Sequence, residues 1–157
     1  MDAYDLLALG ALVLALLPIV HFDLTQTRIP NLANLALGAV GLGIHLITAP
    51  DWRTLALDGA RIIGVAVVLI VIGWLVARWR PNARIGAGDI KFLMASTPWV
   101  GFVGAFYVFA LASGILVVFS LTQAALAPAT GDWWRPRPFG PMLCIALVLI
   151  FLLTRIN

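Results

Sequence analysis

Asp23 and Asp89 each place a carboxylate at the edge of a long apolar run, where water is scarce. Asp23 closes the first run and opens Asp23-Leu24-Thr25-Gln26-Thr27-Arg28-Ile29-Pro30-Asn31. Asp89 ends Gly86-Ala87-Gly88-Asp89 and is followed by Ile90 and Lys91, the only lysine of the chain. Ionised groups beside hydrocarbon are expensive, so such acids read first as functional. Two of them suggest a joint task. Carboxylates held together cannot both ionise cheaply, and a close pair keeps one proton at neutral pH. The ionised member can then draw a proton from water while the protonated one polarises a peptide carbonyl, with no metal and no covalent intermediate.

Each acid also has a plainer reading. Gly-Asp ahead of an apolar run is an ordinary helix cap. Asp23 could be a solvated residue whose polar turn is completed by Thr25 and Thr27. Gly86 and Gly88 open backbone angles closed to other residues and let an extended peptide approach. Arg28 and Asn31 are candidate hydrogen-bond partners for Asp23, and Ile29-Pro30 turns the chain back, with Asn31 available as a cap. His21 and His45 are far apart and lack a third ligand, so no metal or other cofactor is expected. His45 reads as a packed or interfacial side chain. Asp51, Asp58 and Asp132 read as solvated or capping loop residues, Lys91 as snorkelling to the surface, and Cys144 as a buried thiol without a disulfide partner.

The elements that must position these residues follow from composition. The chain is 62% hydrophobic and 11% charged, with a mean hydropathy of +1.05 and no glutamate. This predicts an all-α, polytopic membrane protein forming a single domain over residues 1–157. About six transmembrane helices are expected: 4–22, 32–48, 57–77, a stretch from Asp89 to Ala127 split near Trp99 to Gly101, and 139–153. Small residues such as Ala39 with Gly43, and Gly101 with Gly104 and Ala105, are expected to let helices pack closely. The first segment lacks a basic flank, so it is expected to remain as a membrane helix rather than be cleaved as a signal.

Basic residues then orient the chain. Arg28, Arg78, Arg80, Arg84, Lys91, Arg135 and Arg137 fall on one side, against Arg53, Arg61 and Arg155 on the other. The first group is expected in the cytoplasm, with both termini outside and both candidate acids at the cytoplasmic edge. Trp79, Trp133 and Trp134 fit interfacial anchors. The net charge of +3 is accounted for by this topology, and no nucleic-acid partner is expected.

Asp-x-x-x-x-x-Ile-Pro-Asn after the first helix, Gly-x-Gly-Asp-x-Lys further on, and Pro138-Phe139-Gly140-Pro141 at the last helix come in one order. Together they resemble the type IV prepilin peptidases, the A24 group of Gly-x-Gly-Asp membrane aspartyl proteases. The resemblance implies a six-helix protease of the bacterial inner membrane that cuts the leader from prepilin or pseudopilin precursors after a glycine, at the cytoplasmic face. It implies Asp23 and Asp89 as the catalytic pair, and Gly86, Gly88 and Lys91 as motif residues near the substrate backbone. Arg28, Pro30, Asn31, Pro138, Phe139, Gly140 and Pro141 follow as supporting residues. Longer members carry a cysteine-rich methyltransferase domain to which nothing here corresponds. The chain looks like the short form associated with Flp or tight-adherence pili, without an S-adenosylmethionine site. Two other readings are an ion- or proton-coupled transporter using the same aspartates, and an inactive assembly subunit. Lipids are the remaining expected partners, and the oligomeric state is not legible.

Overall fold

Apolar stretches of this length can satisfy their backbone hydrogen bonds in a water-free layer by forming helices. The computed structural model describes residues 2–48, 51–79, 86–126 and 139–156. Within them lie α1 (Ala3–Gln26), α2 (Asn31–Thr48), α3 (Trp52–Trp79), α4 (Ala87–Leu126) and α5 (Gly140–Ile156). The first four are long and apolar enough to cross a membrane, while α5 is apolar but has 17 residues. The protein is all-α and polytopic.

Local chemistry sets the helix starts. Asp2 and Asp5 form a capping box at α1, the Asp2 N–H donating to Asp5 Oδ2 at 3.1 Å. Asp51 accepts the Arg53 N–H at 3.2 Å, as a capping residue should. That cap starts α3 at Trp52, ahead of the expected Leu57, and sets Asp58 well inside the helix rather than at its edge. The loop reading of Asp58 is therefore corrected. Its side chain is 1% exposed, 2.6 Å from His45 Nδ1 and 3.0 Å from Arg61 Nη1. His45, expected as an ordinary packed side chain, ties α2 to α3 through this acid.

The long α4 is interrupted at Gly101, whose φ of 75° and ψ of 178° lie outside the helix and suit only glycine. The break falls within the stretch where a division was expected. Contacts on either side show that the chain reverses there. Trp99 meets Phe151 near the far end of α5, whereas Phe109 is already back against Phe139 beside its start. Gly104 is needed at this reversal, because a Cβ there would come within 2.7 Å of the Val100 Cβ.

Residues 87–100 form the central post of the bundle, with Phe92, Leu93, Thr97 and Trp99 all buried. The Ser96 and Thr97 hydroxyls donate to the Leu93 carbonyl at 2.8 and 2.9 Å, so burial leaves neither unsatisfied. Against this post lie Gly38 and Gly41 of α2, not the expected pair Ala39 and Gly43. A Cβ on Gly38 would sit 3.5 Å from the Ala95 Cα, and one on Gly41 only 2.7 Å from Trp99 Nε1. Trp99 Nε1–H donates to the Leu37 carbonyl at 2.9 Å and fixes the two helices in register. Ala39 is exposed and nothing approaches Gly43 within 4 Å.

Candidate active site

The end of α1, the start of α2, the start of α4 and the start of α5 converge at one end of the bundle. Thr27 closes α1 in the left-handed conformation at φ 50°, the only non-glycine positive φ among the described residues. Such a residue stores strain on the order of 1 kcal/mol. Its N–H donates to the Asp23 carbonyl at 2.9 Å, so the strained turn is tied to the backbone of the acid itself. Pro30 then starts α2 with its carbonyl, which accepts the N–H groups of Ala33 and Asn34. Asn31 is consequently the first residue of the helix rather than its cap, and its side chain is available for another bond. Lys91 is exposed, and its Nζ donates to Asn31 Oδ1 at 2.8 Å.

Asp23 is 5% exposed. Its Oδ2 accepts the Gly140 N–H at 2.8 Å, a buried bond from one of the first-turn peptide groups that have no acceptor within α5. Gly140 has to be glycine here. A Cβ would lie 2.8 Å from Asp23 Oδ2 and 3.0 Å from Asp23 Cβ, so the whole side chain would have to move. Pro141 follows in the first turn of α5, where its missing N–H breaks no helical bond. Among the described residues no ion pair joins Arg28 to Asp23.

Asp89 is half-buried as the third residue of α4. The cap position belongs to Gly86, whose carbonyl accepts the N–H groups of Asp89 and Ile90 at 3.1 and 3.2 Å. The simple reading of Asp89 as the helix cap is thus set aside. Gly86 also makes room for the acid, since a Cβ there would be 2.7 Å from Asp89 Oδ2. Gly88 differs from Gly86: the nearest atom to a Cβ would be Ile29 Cβ at 3.8 Å, an ordinary contact.

A cavity of about 420 Å³ joins these parts. Asp23 and Asp89 both line it, together with Arg28, Asn31, Gly86, Gly88, Lys91 and Phe139. Pro30, Gly140 and Pro141 are not among the residues that line it, and Pro138 lies outside the described residues. Thr27, Ile29 and Ala87 also line it; from sequence, Thr27 and Ile29 had only turn roles and Ala87 none. The signal for Thr27 was weak, since a β-branched residue is a poor candidate for a left-handed cap. His21 is exposed, edge-on to Phe22, and does not line the cavity.

Two acids facing one water-accessible space, with cations at its rim, can bind and polarise a peptide bond. The model of the type IV leader peptidase family matches residues 10–121, which include both acids. The chain belongs to the type IV leader peptidase family. Members are prepilin leader peptidases, intramembrane aspartic proteases, and this chain is an aspartic-type endopeptidase of that kind. That decides between the peptidase reading and the ion-coupled one. Comparison with curated proteins and with solved structures returned no match. The α5 start of the peptidase lies beyond the matched residues, yet it supplies the described hydrogen bond to the Asp23 carboxylate.

Proposed function

We propose that Asp23 and Asp89 are the catalytic dyad of this peptidase and that it removes the leader of a prepilin-like precursor at the cytoplasmic membrane edge. The observation that carries this is their shared cavity, reached from two distant segments of the chain. Water bound between the carboxylates gives a proton to the ionised one as its oxygen attacks the scissile carbonyl carbon. The protonated carboxyl donates to the carbonyl oxygen, giving a neutral tetrahedral diol. Collapse of the diol breaks the C–N bond as the nitrogen takes a proton from one carboxyl and a diol hydroxyl returns its proton to the other carboxylate, which restores the singly protonated pair and releases acid and amine products.

The whole chain acts as one membrane-embedded unit with six crossing segments. At about 21 Å of rise, residues 87–100 are short for a bilayer, but they are shielded by protein and need not match its thickness. Trp52 with Arg53 and Trp74 with Arg78 form cation–π pairs near the two ends of α3, where interfacial anchors belong. The excess of basic residues counted in the first, third and fifth expected loops supports a cytoplasmic acid end, with both termini outside. The test is cleavage of a co-expressed precursor by Asp23→Asn and Asp89→Asn, read as a gel shift. Each variant should lose activity on the order of a thousandfold or more, and retained cleavage in either removes that residue from the dyad.

A further inference from the structure

Asn34 is 4% exposed, and among the described residues neither its Oδ1 nor its Nδ2 has a hydrogen-bond partner. A buried amide without partners is uncommon and costly, and asks for an explanation. Asn34 lines a second cavity of about 350 Å³ bounded by α2, α4 and Ile62 of α3. Its other walls are apolar or small, including Leu35, Gly38, Met94 and Ala95. Asn31 and Lys91 line both this groove and the cavity of the two acids, so the groove continues the cleft toward the lipid. Leu35 and Ala39 at its rim are exposed. Asn34 lies one helical turn, about 5 Å, beyond Asn31 along α2.

Building on the peptidase reading, we propose that this groove receives the first apolar residues of the precursor behind the scissile bond, and that the Asn34 amide pairs with their main chain. A peptide bond can be cut only when its backbone is extended, which exposes N–H and C=O groups in a medium without water to solvate them. One carboxamide offers what such a backbone lacks: an acceptor for a peptide N–H and a donor for a peptide C=O. An extended chain covers about 3.3 Å per residue, so the pairing falls roughly two residues past the bond held beside Asn31. The orphaned amide of the free enzyme is then satisfied by substrate. Asn34 is a positioning residue that sets where the precursor is cut.

A rival groove lies between α1 and α5, lined by Val13, Leu17, Cys144 and Val148, and its lining presents no polar surface. It has nothing to offer an unwound backbone. The experiment compares wild-type enzyme and Asn34→Leu in proteoliposomes with a purified precursor. A second arm uses the cleavage-deficient enzyme, Asp89→Asn, and a precursor bearing a benzophenone at the second residue after the cleavage site. The KM of Asn34→Leu should rise about tenfold, as expected for losing a pair of buried hydrogen bonds, with kcat nearly unchanged. Its thermal midpoint should stay level or rise, since the leucine removes no partner within the enzyme. The label should attach to Leu35 or Met94. An unchanged KM, a midpoint falling in step with activity, or a label on Val13 or Val148 overturns the groove while leaving the peptidase intact. A wild-type enzyme that cuts no precursor overturns both.

Discussion

Buried acids occur at both ends of this bundle, and their surroundings differ. Asp58, at one end, lies between His45 and Arg61, so both carboxylate oxygens have a basic partner. Asp23, at the other, has the Gly140 N–H on one oxygen and shares its cavity with a second carboxylate. The first arrangement compensates a charge in place and joins α2 to α3. The second leaves acceptor capacity facing a space that holds water or a peptide. Burial of an acid therefore does not mark chemistry by itself; what matters is how much of its hydrogen-bonding capacity the fold has already used.

The comparison breaks most sharply at the dyad, where Asp23→Asn or Asp89→Asn should cost a thousandfold in activity on the scale given above. Neither change should lower the unfolding free energy by more than about 1 kcal/mol, because the amide is nearly isosteric and still accepts a hydrogen bond. The Asp58 end should show the reverse. Replacing His45 and Arg61 together by Leu strands a buried acid and should cost about 3 kcal/mol of stability in a denaturation series. Adding Asp58→Leu to that pair should recover most of the loss, and cleavage per folded molecule should hardly change throughout. If activity falls in proportion instead, the two ends are coupled and the contrast is wrong.

The glycines sharpen the picture on a finer scale. Gly140→Ala pushes on the whole Asp23 side chain, and a displacement near 1 Å should lower kcat/KM on the order of a hundredfold. Gly86→Ala meets only the tip of Asp89, which can swing away, so the loss should be nearer tenfold by the same reasoning. Equal losses in cleavage assays of the two variants would argue that both acids are held equally firmly. The smallest effect is expected at Arg155, which lies 3.4 Å from Asp5 at a partly exposed site. Arg155→Ala should cost about 0.5 kcal/mol or less, measured at two salt concentrations.

How far the sequence alone reached differs between the ends. Asp23, Asp89 and Gly86 were legible because motif residues of fixed chemistry flank them. Asp58 was not: His45 lies in another helix, and only Arg61, one turn away, could have hinted at a pair. The helix contact was also misplaced by a small step, from Gly38 and Gly41 to Ala39 and Gly43. Spacing of small residues identifies a face that permits close approach, but not which face a partner takes.

What the sequence determined by itself was the all-helical membrane character, the two candidate acids and the need for a break near Gly101. These follow from local quantities: hydropathy, residue chemistry and the steric freedom of glycine. The tertiary structure decided which acid is neutralised and which is left open. It put the Gly140 amide on Asp23, Lys91 on Asn31, and His45 with Arg61 on Asp58, and it left Asn34 without a partner among the described residues. Hydrogen bonds between distant helices depend on rotation and register in the packed bundle, and no local pattern in a chain specifies those.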